Sequence, residues 1–163
     1  MKGNAEVIAL LNKGLGLELT AVHQYLAQAK LCQHWGYHKL ADHLYEDYND
    51  ERSHAEMVID RILFLEGVPN IQVGQPVFLG KTIEEQIKKD LEMETLVVEF
   101  YNEVIATCDR LKDSGSRQLA EFLLKSSEDD VQELESQVNL IKQIGLENYQ
   151  IEMIGEKNEG KKK

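Results

Sequence analysis

Gly67-Val68-Pro69-Asn70-Ile71-Gln72-Val73-Gly74-Gln75-Pro76-Val77-Phe78-Leu79-Gly80-Lys81 decides the fold. It holds both prolines of the chain and three of its glycines, so no helix is expected to run through it. It is also long enough to run back along a helical bundle. On either side lie two long segments with helical apolar spacing. Before it come 5–34, ending near Trp35-Gly36, and 38–66. After it come 82–112, opened by Thr82 with Glu85 three residues on as a capping box, and 116–144, stopped by Gly145. The connections inside each pair are short, so each pair is expected to be an antiparallel hairpin. Two hairpins joined by one long crossover make an all-α, ferritin-like four-helix bundle rather than a simple up-down-up-down one. A short fifth helix is expected at 147–154. Residues 1–155 are expected to form one domain, and the charged, glycine-containing tail 156–163 to be disordered.

Each long segment has one face that can be written out. The first reads Leu11, Leu15, Glu18, Val22, Tyr25, Ala29. The second reads Leu44, Asp47, Glu51, His54, Val58, Ile62, Leu65. The third reads Ile83, Ile87, Asp90, Glu94, Val97, Tyr101, Val104, Cys108, Leu111, and the fourth Leu119, Leu123, Ser127, Asp130, Leu134, Val138, Ile141. Polar residues interrupt all four near the middle. Antiparallel packing brings the interruptions to one level, where Glu18, Glu51, His54 and Glu94 meet, with Ser127 and Asp130 opposite.

Several buried carboxylates repel one another, and each costs several kcal/mol to desolvate. No Lys or Arg on these faces neutralises them. Two readings fit: a bound metal cation, or a protonated, hydrogen-bonded polar layer. The coincidence across four helices favours the cation. Carboxylate with imidazole suits iron, manganese or zinc. Glu51-x-x-His54 places two ligands on one helical face, and Glu18 and Glu94 come from neighbouring helices. Asp130 offers a further oxygen; Ser127 is a poor ligand. Tyr25, on the same face as Glu18, is the candidate for a catalytic redox role, and Tyr101 reads as a core aromatic. Asp47 and Asp90 read as partners of His54 or structural acids. Glu46 and Asp50 read as an ordinary solvated face, and His23, His34, His38 and His43 as surface residues.

The formal net charge of -11 disfavours nucleic acid as a partner. No run of about 18 apolar residues suggests a membrane span, and no apolar signal core follows Met1. Cys32 and Cys108 stand alone, which suits a reducing cytoplasm.

The chain resembles bacterioferritin. The likeness rests on Met1-Lys2-Gly3, the stretch from Glu18 to Tyr25, Trp35-Gly36, Arg61-Ile62-Leu63-Phe64-Leu65-Glu66-Gly67 and Gly145-Leu146-Glu147-Asn148-Tyr149. The resemblance implies a hollow 24-mer cage that oxidises Fe(II) at an intrasubunit di-iron centre and stores Fe(III) mineral. It also implies haem held between paired subunits by a methionine of the second helix. Two departures stand out. Where the pattern has a second Glu-x-x-His, this chain has Ser127-x-x-Asp130, which leaves the second iron position incomplete and implies impaired Fe(II) oxidation. Arg52 stands at the haem-ligand position, and a guanidinium cannot ligate iron, so a homopolymer is expected to lack haem. Two other readings remain open. One is a non-catalytic subunit of a mixed cage with a related, full-site chain. The other is a carboxylate-bridged oxidase or peroxidase, which needs a substrate pocket that the continuous Leu/Val/Ile faces do not suggest.

Overall fold

A computed structural model describes residues 1–155; the expected tail, 156–163, lies outside the described residues. The helices are α1 (Ala5–Trp35), α2 (His38–Phe64), α3 (Ile83–Leu111), α4 (Ser114–Ile144) and α5 (Leu146–Ile154). The described residues form five helices and no strand, and no helix is long and apolar enough to cross a membrane.

The ends follow local chemistry. Asn4 caps α1, its side chain accepting from Glu6 N–H at 2.8 Å. Gly36, with φ of 92°, terminates it in the left-handed conformation that glycine adopts freely. Thr82 caps α3, accepting from Glu85 N–H at 3.2 Å. The returning bond of the box lands one residue early, because Glu85 accepts from Lys81 N–H at 2.8 Å rather than from the cap itself.

α4 starts at Ser114, earlier than the sequence suggests, because Asp113 is the cap. Asp113 accepts from Ser116 N–H at 3.0 Å and pairs with Arg61 of α2 at 2.6 Å, tying the two helix ends together. Burial pushes this carboxyl up, but the Ser116 hydrogen bonds and the Arg61 charge outweigh it and hold the pKa below the usual range. Replacing Asp113 with alanine removes a cap and strands a half-buried guanidinium. A loss of about 2 kcal/mol is expected, or ~4–8 °C in Tm by thermal unfolding.

The crossover docks along one face of α1, on residues spaced four apart. Asn70 N–H donates to Asn12 at 2.6 Å, Gly74 N–H to the Gly16 carbonyl at 2.7 Å, Gln75 N–H to the Thr20 hydroxyl at 3.1 Å, and Phe78 N–H to Gln24 at 2.9 Å. The crossover therefore rises parallel to α1, and α3 descends antiparallel to it. Glycine is needed where the two backbones touch, since a Cβ on Gly16 would meet the Gly74 Cα at 3.0 Å. This docking sets the depth at which α3 enters the bundle, and so which α3 residues face Glu18.

The core comes in two clusters. One contains Leu11, Leu15, Val58, Ile62, Val104 and Leu123. The other contains Tyr25, Ala29, Leu44, Ile83, Ile87 and Tyr149. Every long helix contributes apolar residues to both, and the polar interruptions fall between them. α4 is less deeply seated than the sequence implies: Leu123 and Ser127 are buried, but Leu134, Val138 and Ile141 are only half-buried.

Candidate metal centre

Between the apolar clusters lies a layer of acids taken almost wholly out of water. Exposures are 3% for Glu18, 5% for Glu51, 7% for His54 and 1% for Glu94. His54 Nδ1 is 3.3 Å from a Glu51 oxygen and 3.6 Å from a Glu18 oxygen. Ligand atoms of Glu18, Glu51 and His54 all lie within 4.8 Å of one another, and so do those of Glu51, Glu94 and Asp130. Glu51 belongs to both sets, so the two triads share an edge. Ser127, 6% exposed, offers only a hydroxyl, a poor ligand. The expected convergence of Glu18, Glu51, His54 and Glu94, with Asp130 opposite, is present.

The electrostatics follow from this crowding. Burial pushes the Glu51 carboxyl well above its usual range, and the charges of Glu18 and Glu94 push it further. Glu94 is likewise raised by burial and by Asp130, with the Tyr25 hydrogen bond pulling back. Asp130 is pushed up by burial to about 6, His54 opposing. Among the described residues, the cationic partner of these acids is His54, and no Lys or Arg pairs with them; in the metal-free protein, protons offset the remaining charge.

Around the layer, the neighbours hold ligands in place. Tyr25 donates to Glu94 Oε1 at 2.8 Å, and Tyr101 donates to Glu18 Oε1. Tyr101 is thus a partner of the site as much as a core aromatic. Asp90 is not a partner of His54: it accepts from Gln24 and Gln28, each at 2.8 Å. Burial raises Asp90 to about 7, and those two amides pull it back. The two glutamines sit just beside the apolar face of α1, so the stripe itself does not mark them; their spacing of four residues, adjoining Tyr25 and Ala29, is the signal that does. Asp47 faces His43, Asp130 and Glu133 rather than His54, and burial pushes it up to about 7.

Two expectations need correction. His43 is not an unpartnered surface residue: its Nε2 meets Glu133 Oε1 at 2.5 Å. Burial lowers its pKa, but Asp47 and Glu133 outweigh that and raise it. Nor are the apolar faces closed. A cavity of about 240 Å³ opens between α2 and α4, lined by Leu44, Asp47, Asp130, Leu134 and, at its inner end, Tyr25 and Asp90. It exists because α4 stays shallow beyond Ser127. His23, His34 and His38 do lie at or near the surface, and Glu46 and Asp50 are exposed.

Haem is a poor fit to the residues at the expected position. Arg52 is exposed and lies 3.8 Å from Glu56. Met57 and Met93 pack against the two core clusters.

Comparison with known proteins agrees with this architecture. Residues 8–144 match the ferritin-like domain family. The chain is 40% identical over 149 residues to a bacterioferritin of Brucella melitensis, covering 91% of this chain and 92% of that one. It is 39% identical over 150 residues to a bacterial ferritin of Synechocystis sp., covering 91% and 96%. A bacterioferritin of Mycolicibacterium paratuberculosis is 36% identical over 154 residues, covering 94% and 97%. With a buried carboxylate layer at the level the family pattern requires and likeness over nearly the whole chain, this protein belongs to the ferritin-like family, among its bacterioferritin members.

Proposed function

We propose that the chain is an iron-storage subunit of a bacterioferritin-type cage, and that Glu18, Glu51, His54, Glu94 and Asp130 bind its Fe(II) substrate. The observation carrying this reading is the pair of triads sharing Glu51, in a buried layer where, among the described residues, no Lys or Arg pairs with the acids. Fe(II) is the substrate and loses an electron to O2 or peroxide. Glu18, Glu51 and His54 offer two carboxylates and an imidazole, a set that suits iron. Glu51, Glu94 and Asp130 offer oxygens only, so the second position is held more loosely. Slow oxidation relative to a chain with a complete helix-four Glu-x-x-His follows. The test is anaerobic Fe(II) titration of the protein expressed alone, followed by exposure to O2. Iron bound in the bundle and mineral retained by a high-mass assembly support the reading; no Fe(II) binding above that of a Glu18/Glu51/Glu94 triple glutamine variant refutes it.

Tyr25 acts in this scheme by orienting Glu94 and favouring its ionised form. In Tyr25→Phe, Glu94 loses the bond that holds its pKa down. The expected result is unchanged iron stoichiometry, with the pH midpoint for metal binding moved upward by about half a unit to one unit. An unmoved midpoint assigns Tyr25 to packing alone.

Arg52 and the Ser127-x-x-Asp130 departure motivate the second reading, a non-catalytic subunit of a mixed cage whose partner chain supplies complete iron sites or haem. Protein expressed alone is expected to show no Soret band. A haem-loaded homopolymer with sulfur ligation contradicts this, and co-purification with a related chain supports the mixed cage.

A further inference from the structure

The two tyrosines beside the acid layer are arranged reciprocally. Tyr25 follows Glu18 on α1 by two helical turns, and Tyr101 follows Glu94 on α3 by the same two turns. Because α1 and α3 run antiparallel, each tyrosine reaches across to the glutamate of the other helix. Tyr25 donates to Glu94 Oε1 at 2.8 Å, and Tyr101 donates to Glu18 Oε1. Each triad thus has one glutamate tied by a phenol from the facing helix: Glu18 in the triad with Glu51 and His54, and Glu94 in the triad with Glu51 and Asp130. On Glu18 the two oxygens have different neighbours. Oε1 accepts from Tyr101, and Oε2 lies 3.6 Å from His54 Nδ1. The backbone of α1 makes room for this ring. Gly14 is buried one turn before Glu18, and a Cβ there would meet the Tyr101 hydroxyl at 3.2 Å and Phe100 Cε1 at 3.1 Å. Glycine inside a helix is destabilising relative to alanine, and here it permits the close approach of the two α3 rings. A phenylalanine at 101 fills the same apolar space; what the hydroxyl adds is the bond to Glu18.

We propose that Tyr101 is a positioning residue for the first metal position: its hydrogen bond occupies Glu18 Oε1 and so presents Oε2 beside His54, where Glu18, Glu51 and His54 take up a divalent cation. The inference deepens the iron reading and rests on it. A phenol suits this task because it donates a hydrogen bond without bringing a charge. A lysine or arginine in its place would orient Glu18 but compete with the metal for it. Residues that orient a ligand in this way are worth about 10–100-fold in metal affinity. The effect is confined to one position, because Tyr101 bonds Glu18 and the other triad is Glu51, Glu94 and Asp130. Tyr25, tied to Glu94, serves that second triad.

The test is anaerobic titration of the full, metal-free chain with Co(II), followed by calorimetry and by the visible absorption of the bound ion. The wild type is expected to bind in two steps, a tight one at Glu18, Glu51 and His54 and a loose one at Glu51, Glu94 and Asp130. Tyr101→Phe should weaken the tight step about 10-fold and leave the loose step unchanged. It should also alter the visible band of the first Co(II), because Glu18 becomes free to offer both oxygens. Tyr25→Phe is the control and should weaken the loose step alone. Gly14→Ala, which presses on the hydroxyl instead of removing it, should weaken the tight step in the wild type and have no such effect in a Tyr101→Phe background. An unchanged tight step and band in Tyr101→Phe overturn the inference and assign the hydroxyl to packing. An equal loss at both steps overturns it too, since a general loosening of the layer does not separate the two positions. Either failure leaves the iron reading standing, because the wild type still takes up metal. A wild type that binds no Co(II) in the bundle is the failure of the iron reading itself, and overturns both.

Discussion

Replacing Glu51 with glutamine is expected to stabilise the metal-free protein while abolishing most of its affinity for metal. Glu51 is the residue common to both triads, and it is buried among like charges. Its folded-state pKa lies above the usual value near 4.5, so across that interval the folded protein holds a proton that the unfolded chain has released. Stability therefore falls as pH rises through the interval. Asp47 and Asp90, at about 7, and Asp130, at about 6, add with the same sign. The wild-type metal-free protein should lose stability between about pH 5 and pH 8. Glutamine keeps the shape and removes one titration, so the gain should be small at pH 5 and about 2 kcal/mol, or ~4–8 °C in Tm, at pH 8. Metal reverses the sign. Ligands bind deprotonated, so affinity rises with pH and binding releases protons. Loss of a shared ligand should weaken metal binding by at least ~100-fold, since losing a residue that merely orients a ligand already costs about 10–100-fold. Thermal unfolding of both proteins, with and without Zn²⁺, at pH 5 and pH 8 gives all four comparisons. A metal-free variant less stable than wild type at pH 8 contradicts the account of the acid layer.

The second large effect is a gain. Ser127→Glu with Asp130→His writes the missing Glu-x-x-His into α4, facing Glu51 and Glu94. Ser127 is buried one turn before Asp130 and offers only a hydroxyl; ligand atoms of Asp130, Glu51 and Glu94 already lie within 4.8 Å of one another. The double variant should hold a second Fe(II) firmly, and paired metals are what a two-metal reaction uses. Fe(II) oxidation followed by stopped flow should accelerate on the order of 10-fold or more. Equal rates would mean that the helix-four departure is not what limits turnover.

Much of this site was legible in the residue order because charge inside an apolar face has few explanations. Glu18, Glu51, His54 and Glu94 announce themselves by interrupting stripes that are otherwise Leu, Val and Ile. The long crossover was legible from Pro69 and Pro76, and the cap of α3 from Thr82 and Glu85. What the stripes do not carry is how closely each helix approaches its neighbours. Leu134, Val138 and Ile141 continue the periodicity of α4, yet they are half-buried, and the cavity beside Asp130 follows from that difference. Periodicity also marks a single face. Gln24 and Gln28 border the face of Tyr25 without belonging to it, although both hold Asp90 and Gln24 also anchors the crossover. His43 failed for another reason: its partner, Glu133, is ninety residues away, and no local pattern pairs them.

The most direct test is anomalous diffraction from crystals of the protein soaked anaerobically with Fe(II), with data collected across the iron edge. The account predicts a peak among the side chains of Glu18, Glu51 and His54, and a weaker one among those of Glu51, Glu94 and Asp130. A bundle interior free of anomalous signal, with iron only at exposed acids such as Glu46 and Asp50, would contradict it.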